Sequence, residues 1–186
     1  MKILLINNHT VHMTALGKAL ASHQVETQIY RPGLKFHDED KDLIILSGGG
    51  GEGLEINDYQ PTGELWHQDE MNFVRHTNKP VLGICMGFEV IARAFGAPVT
   101  QVGQLVQGAT TVQVNDEAQA LLGQKSLQQF ESHRWRVEDL PSDFNVLATS
   151  KTGIEMFQYK NYFATQFHPE KGGSLNLSQL LEQVSH

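Results

Sequence analysis

Val81-Leu82-Gly83-Ile84-Cys85-Met86-Gly87-Phe88-Glu89-Val90-Ile91-Ala92 is the stretch on which the reading of this chain turns. An apolar run over residues 80–84 stops at the cysteine, and a helical apolar period (Phe88, Val90, Ile91, Ala94, Phe95) begins just after it. Gly83 and Gly87 flank Cys85 at two residues on either side. That is the spacing of a nucleophile elbow, with cysteine in place of serine. The need is steric: a side chain displayed at a strained turn requires neighbours of little bulk. The following helix turns its free N–H groups toward the sulfur, which is expected to favour the thiolate and a developing oxyanion. A free cysteine is more often a small buried apolar residue. The paired glycines and the strand-to-helix switch argue for a nucleophile here.

Outward from the elbow, residues 2–7 are a continuous apolar run with a polar stop, as in a buried parallel strand. Residues 11–22 carry a helical period, 25–30 and 42–46 read as strands, and 65–76 as a helix. The stretch 52–63 reads as a long exposed loop. Strand and helix therefore alternate to about residue 95, which predicts an α/β fold with an open, mostly parallel sheet flanked by helices. Beyond it the segments 99–106, 110–114, 128–132, 145–150, 154–158 and 162–166 are short and turn-bounded. They predict antiparallel strands added in the C-terminal half, with a closing helix over 174–184. No repeat or linker interrupts the chain, so residues 1–186 are expected to form one domain.

Composition narrows the partners. The 186 residues carry one cysteine, which excludes an internal disulfide and agrees with a cytoplasmic setting. No run approaches the ~20 apolar residues of a membrane span, and the first strand is too short an apolar segment for a secretory signal. A net charge of −7 without a dense Lys/Arg cluster argues against nucleic acid.

Ligands of open α/β sheets bind beyond the carboxyl ends of the strands, and three motifs fall there. Besides Cys85 these are Ser47-Gly48-Gly49-Gly50-Gly51 after the third strand and Phe167-His168-Pro169-Glu170 after the last. His168 is the candidate base: it can take a proton from a thiol and give one to a leaving amine. Glu170 could accept from its far ring nitrogen and so fix tautomer and orientation. Alternatively these residues are only a turn with a solvated carboxylate. The glycine tract lacks a phosphate-loop pattern; it reads either as a surface turn or as a donor that pairs with the Met86 N–H in an oxyanion hole. Among the other histidines, His9 and His12 lie near the end of the first strand and could line the pocket, although solvated loop positions are favoured; His67 and His76 are expected on a polar helix face. No pair has metal spacing backed by cysteines or carboxylates, so neither a metal site nor a cofactor is expected.

Taken in order and at these distances, the three motifs resemble the class I, triad-type glutamine amidotransferases, and the resemblance covers nearly the whole chain. Glu131-Ser132-His133, Leu140-Pro141 and the stretch 144–150 look most like the amidotransferase part of GMP synthetase. The resemblance implies a flavodoxin-like sheet with Cys85, His168 and Glu170 as the triad and the Gly49 and Met86 amides as the oxyanion hole. It puts Gly48, Gly50, Glu89, Ser132 and His133 against the substrate. The implied chemistry is hydrolysis of the glutamine side-chain amide through a γ-glutamyl thioester, with ammonia passed to an ATP-dependent synthetase subunit. The chain departs from the family pattern at two places. Glu89 stands where the family has glutamine, a change that favours an amino group and leaves a stand-alone γ-glutamyl hydrolase acting on γ-glutamyl amides as the alternative. Glu89 could equally turn aside or pair with Arg93 at i+4. Arg134-Trp135-Arg136 replaces an expected acidic residue and reads as a partner-docking surface or an exposed ribbon.

Overall fold

The computed structural model describes residues 1–49, 60 and 63–184. Five short strands form its parallel part. β1 (Lys2–Asn7) lies between β2 (Gln24–Ile29) and β3 (Leu43–Leu46), and β3 pairs with β4 (Val81–Ile84). Four further strands follow in the chain: β5 (Val99–Val114), β6 (Ser126–Val137), β7 (Asn145–Ser150) and β8 (Gly153–Tyr159). β9 (Tyr162–Thr165) then returns to pair parallel with β4 and antiparallel with β8. The nine strands run in the order β2-β1-β3-β4-β9-β8-β7-β5-β6, antiparallel from β8 onward.

Alternation along the central strands divides the core in two. Ile3, Leu5, Ile45, Leu82 and Ile84 face one side, where they join Leu16 of α1 (Met13–Ala19) and Leu177, Leu180 and Leu181 of the last helix, Leu177–Val184. Leu4, Ile6, Ile44, Leu46 and Val81 face the other, against Met71 and Val74 of α2 (Gln68–His76) and Phe88 and Ile91 of α3 (Met86–Ala94). The strands β1, β3 and β4 are covered on both faces, hence their apolar sequences.

The architecture is the one expected, with differences at its edges. The helix expected over 11–22 is limited to Met13–Ala19, and that over 65–76 to Gln68–His76. Residues 99–106 and 110–114 belong to a single strand, β5, whose pairing with β6 slips between Gln101 and Val106. The irregularity, close to Gly103 at φ 77°, made one bent strand read as two. α4 (Asp116–Leu122) was not foreseen; the Asn115 side chain caps it by accepting from the Ala118 N–H at 2.7 Å, and Gly123 closes it in the left-handed region. The loop expected over 52–63 lies almost wholly outside the described residues. Among the described residues no helix is long and apolar enough to cross a membrane.

Candidate active site

Cys85 occupies the single residue between β4 and α3, with φ 51° and ψ −101°. A non-glycine side chain at positive φ is strained, and the surroundings hold it there. The Cys85 N–H donates to the Thr165 carbonyl at 2.8 Å, and the Cys85 carbonyl accepts from the Glu89 N–H at 3.1 Å. A Cβ at Gly83 would stand 2.7 Å from both the Gly87 carbonyl carbon and Ile91 Cδ1; one at Gly87 would run into the Leu46 carbonyl oxygen. The glycines thus let α3 pack directly on β3 and β4, so that the cysteine is carried on the tip of the turn.

His168 follows β9 and is anchored from two sides. Its N–H donates to the Phe130 carbonyl at 2.9 Å, and its Nδ1 lies 2.8 Å from Glu170 Oε1. The one-turn 3-10 helix Pro169–Lys171 brings the carboxylate back to the ring, and both residues are buried. His168 Nε2 has no hydrogen-bond partner among the described residues. A Cβ at Gly48 would stand 3.0 Å from His168 Cε1 and 3.5 Å from Cys85 Cβ, so the two side chains converge on this glycine. The His12 ring packs edge-on against His168 at 4.7 Å between centroids. Glu170 is therefore no solvated turn residue.

A pocket of about 260 Å³ opens over the sulfur. Gly49, Cys85, Met86, Glu89, Ser132, His133 and His168 all line it. Gly49 abuts the Met86 side chain so closely that a Cβ there would collide with the thioether. The Ser132 carbonyl oxygen is 3.6 Å from Cys85 Sγ. Glu89 does not turn aside: its Oε1 accepts from Gln166 Nε2 at 3.0 Å, and that nitrogen lies 3.9 Å from the sulfur. Gly50 lies outside the described residues.

Electrostatics correct one expectation. Burial pushes the Cys85 thiol well above its ordinary value; the Glu89 and Glu170 charges add to this, and the Met86 N–H and Gln166 amide only partly offset it. The helix terminus does favour the thiolate, but the loss of solvent outweighs it in the resting site. One histidine was also misplaced by the sequence. His67 precedes α2 and is buried in the pocket wall, its pKa pushed down to about 3 by burial and then by the Arg93 charge. His12 also lines the pocket. His9 instead bonds the Tyr30 carbonyl, and His76 the Asn72 carbonyl on the exposed side of α2. Trp135 belongs to the pocket wall, with the Arg93 guanidinium 5.3 Å over its ring, while Arg136 pairs with Glu138.

Gln166 and Glu155 escaped the sequence reading. Gln166 stands just past β9 and two residues before His168, and this nearness in sequence was the only available signal. Glu155 of β8 carried none, because the fold alone brings it to Glu131 and His133. Burial, then the Glu131 charge, lifts the Glu155 pKa to about 7. Burial opposes charge on His133, yet the Glu131 carboxylate and the Trp135 carbonyl hold its pKa above the usual value.

A thiol on an elbow and an imidazole oriented by a buried carboxylate suit acyl transfer from an amide. Residues 4–185 match the family model "Glutamine amidotransferase class-I". The chain belongs to the class I glutamine amidotransferases. It is 34% identical over 137 residues to a protein of Sulfolobus acidocaldarius described as a glutamine-hydrolysing GMP synthase subunit, covering 72% of this chain and 70% of that one. A protein of the same description from Methanobrevibacter smithii is 27% identical over 175 residues, 91% of this amidotransferase and 87% of its own length. A crystal structure of a glutamine amidotransferase from Thermotoga maritima shares the fold, with a TM-score of 0.73 at 21% identity over 91% of this chain and 76% of that one.

Proposed function

We propose that this amidotransferase hydrolyses the side-chain amide of glutamine and delivers the ammonia to a separate synthetase subunit, as the glutaminase part of a two-subunit GMP synthase. The observation that carries the chemistry is the buried 2.8 Å contact between His168 Nδ1 and Glu170, which leaves Nε2 without a partner among the described residues, on a residue that lines the same pocket as Cys85. Membership of the family and relatives described as glutamine-hydrolysing GMP synthase subunits support the assignment. Residues 1–186 are taken as one amidotransferase domain in the cytoplasm, and ATP would be used by the partner.

In this reading Glu170 holds the Nδ1 proton and His168 Nε2 accepts the Cys85 proton as the sulfur attacks the amide carbon. Burial disfavours the resting thiolate, which suits a proton transfer that accompanies attack. The Gly49 and Met86 N–H groups take the developing oxyanion. The tetrahedral intermediate then collapses, His168 gives its proton to the departing ammonia, and a γ-glutamyl thioester remains on Cys85. His168 next draws a proton from water, which attacks the thioester and releases glutamate. Glu89 and Ser132 would hold the amino-acid head of the substrate, with the main chain of His133 and Gly48 beside them.

The test combines labelling with turnover. Diazo-oxo-norleucine should add once, at Cys85, and glutamine should block it; Cys85→Ser should take no label and have no glutaminase activity. Glutamine hydrolysis should be slow alone and rise strongly with an ATP-dependent synthetase partner and its nucleotide substrate. Rapid turnover of γ-glutamyl amides without any partner would instead establish the stand-alone hydrolase.

A further inference from the structure

Glu131 and His133 lie two residues apart on β6 and so share a face, and Glu155 meets them from β8. One ligand-capable atom from each lies within 4.8 Å of the other two. All three residues are buried, at 0%, 4% and 1% exposure. We infer that Glu131, His133 and Glu155 form a binding site for one first-row divalent cation of the Zn²⁺ or Mn²⁺ type, beside the catalytic pocket and distinct from the triad.

The first argument is the direction of the imidazole lone pair. His133 Nδ1 stands 2.6 Å from the Trp135 carbonyl oxygen. A carbonyl only accepts, so Nδ1 carries the hydrogen and a neutral ring turns the bare Nε2 lone pair inward. That nitrogen lies 3.5 Å from Glu131 Oε2, an atom that is also only an acceptor when ionised. A proton on Nε2 would answer this one contact as an ion pair, whereas a metal ion answers it and also serves Glu155 Oε2, which that proton leaves without a partner among the described residues. A backbone carbonyl behind the far nitrogen is also the outer arrangement that orients metal-bound histidines.

The second argument is the inventory of unused acceptors. Neither oxygen of Glu131 has a hydrogen-bond partner among the described residues, and the same holds for Glu155 Oε2 and His133 Nε2. Glu155 Oε1, by contrast, accepts from Ser150 Oγ at 2.7 Å and Thr152 Oγ1 at 2.8 Å, which fixes the carboxylate and leaves Oε2 as its spare acceptor. Among the described residues no lysine or arginine pairs with either carboxylate. Buried charges persist when they are paired or coordinate a metal. A dication with two carboxylates and one neutral imidazole sums to zero, and the set of one nitrogen and two carboxylates suits zinc or manganese.

His133 also lines the catalytic pocket, so the cluster adjoins the pocket wall. Ser132, between the two β6 ligands, holds its carbonyl oxygen 3.6 Å from Cys85 Sγ, so a bound ion would brace the wall against which the nucleophile rests. The site does not depend on the glutaminase reading.

The test uses the full-length protein, stripped with EDTA, dialysed, and titrated with Zn²⁺, Mn²⁺ or Co²⁺ alone. Bound metal is measured by plasma mass spectrometry, the Co²⁺ environment by visible absorption, and stability by thermal denaturation. The expected result is one equivalent per chain, a midpoint raised by several degrees, and a Co²⁺ spectrum unaltered in Cys85→Ala. Glu131→Gln and Glu155→Gln, which keep the side-chain shape, should fold by circular dichroism and bind at least tenfold more weakly. Less than a tenth of an equivalent in the wild type would overturn the site. So would binding undiminished in both glutamine variants, since the ion would then lie elsewhere. A metal-free wild type stabilised by acid in the same range where Glu131→Gln is not would show that protons fill the cluster, and would also overturn it.

Discussion

At Cys85 the structure sets two opposing influences on one sulfur. The helix terminus and the Met86 N–H favour the thiolate; burial and the Glu89 and Glu170 charges disfavour it, and they win. Alkylation of the resting enzyme by iodoacetamide should therefore lag behind free cysteine across pH 7–9. Removing the larger of the two charge effects with Glu89→Gln should speed it at pH 8 several-fold, as followed by loss of free thiol; an unchanged rate would mean that Glu89 does not act on the sulfur. Glu170→Gln tests the other end of the site. It keeps the shape but removes the partner that orders the ring, and kcat should fall on the order of 10²–10⁴-fold with little change in KM. The spacing around Cys85 and the His168-Pro169-Glu170 sequence made these residues legible beforehand. Gln166 and His67 were not, because their importance comes from the sulfur and the guanidinium they meet across the fold.

The turn from β4 into α3 shows how an element can be dictated by two missing side chains. A Cβ at Gly87 would overlap the Leu46 backbone, which cannot move without disturbing β3. Gly87→Ala should cost roughly 1–3 kcal/mol by overpacking, seen as a lower urea midpoint, and should depress activity further by displacing the start of α3, on which Cys85 is carried. Wild-type stability in this variant would refute the close-packing account. Glycine spacing and apolar period revealed this element in sequence because both signals are local. β5 shows the converse: its slip against β6 is a property of pairing, and local patterning split it into two strands. α4 was missed for a similar reason, since its seven residues carry Ala118 as their one fully buried contact.

Across the whole molecule, stability against pH should reflect Glu70 of α2. The carboxyl is fully buried, accepts from Asn8 Nδ2 at 2.9 Å, and has its pKa pushed up to about 8 by burial. The unfolded chain gives up that proton near the ordinary glutamate value, while the native chain keeps it to about pH 8. Between these limits the native state holds more protons, so this residue's contribution falls as pH rises and is lost above about 8. Glu70→Gln, which preserves the Asn8 bond, should remove that decline and exceed the wild type at pH 9 by roughly 2–4 kcal/mol in urea denaturation. Parallel curves for the two proteins would refute the assignment. The parallel half of the sheet was readable from alternating segments, whereas the insertion of β9 between β4 and β8 was not, because strand order is decided by long-range pairing.

That insertion has a consequence for biosynthesis. β4, which ends at the elbow, gains its second neighbour only when residues 162–165 arrive, and the Thr165 carbonyl then receives the cysteine's own N–H. A chain emerging from the ribosome therefore carries its sulfur on an open sheet edge until that late segment has been translated. Glutamine cleavage is thereby withheld from incomplete chains, and the exposed edge is what a chaperone would need to shield in the interval.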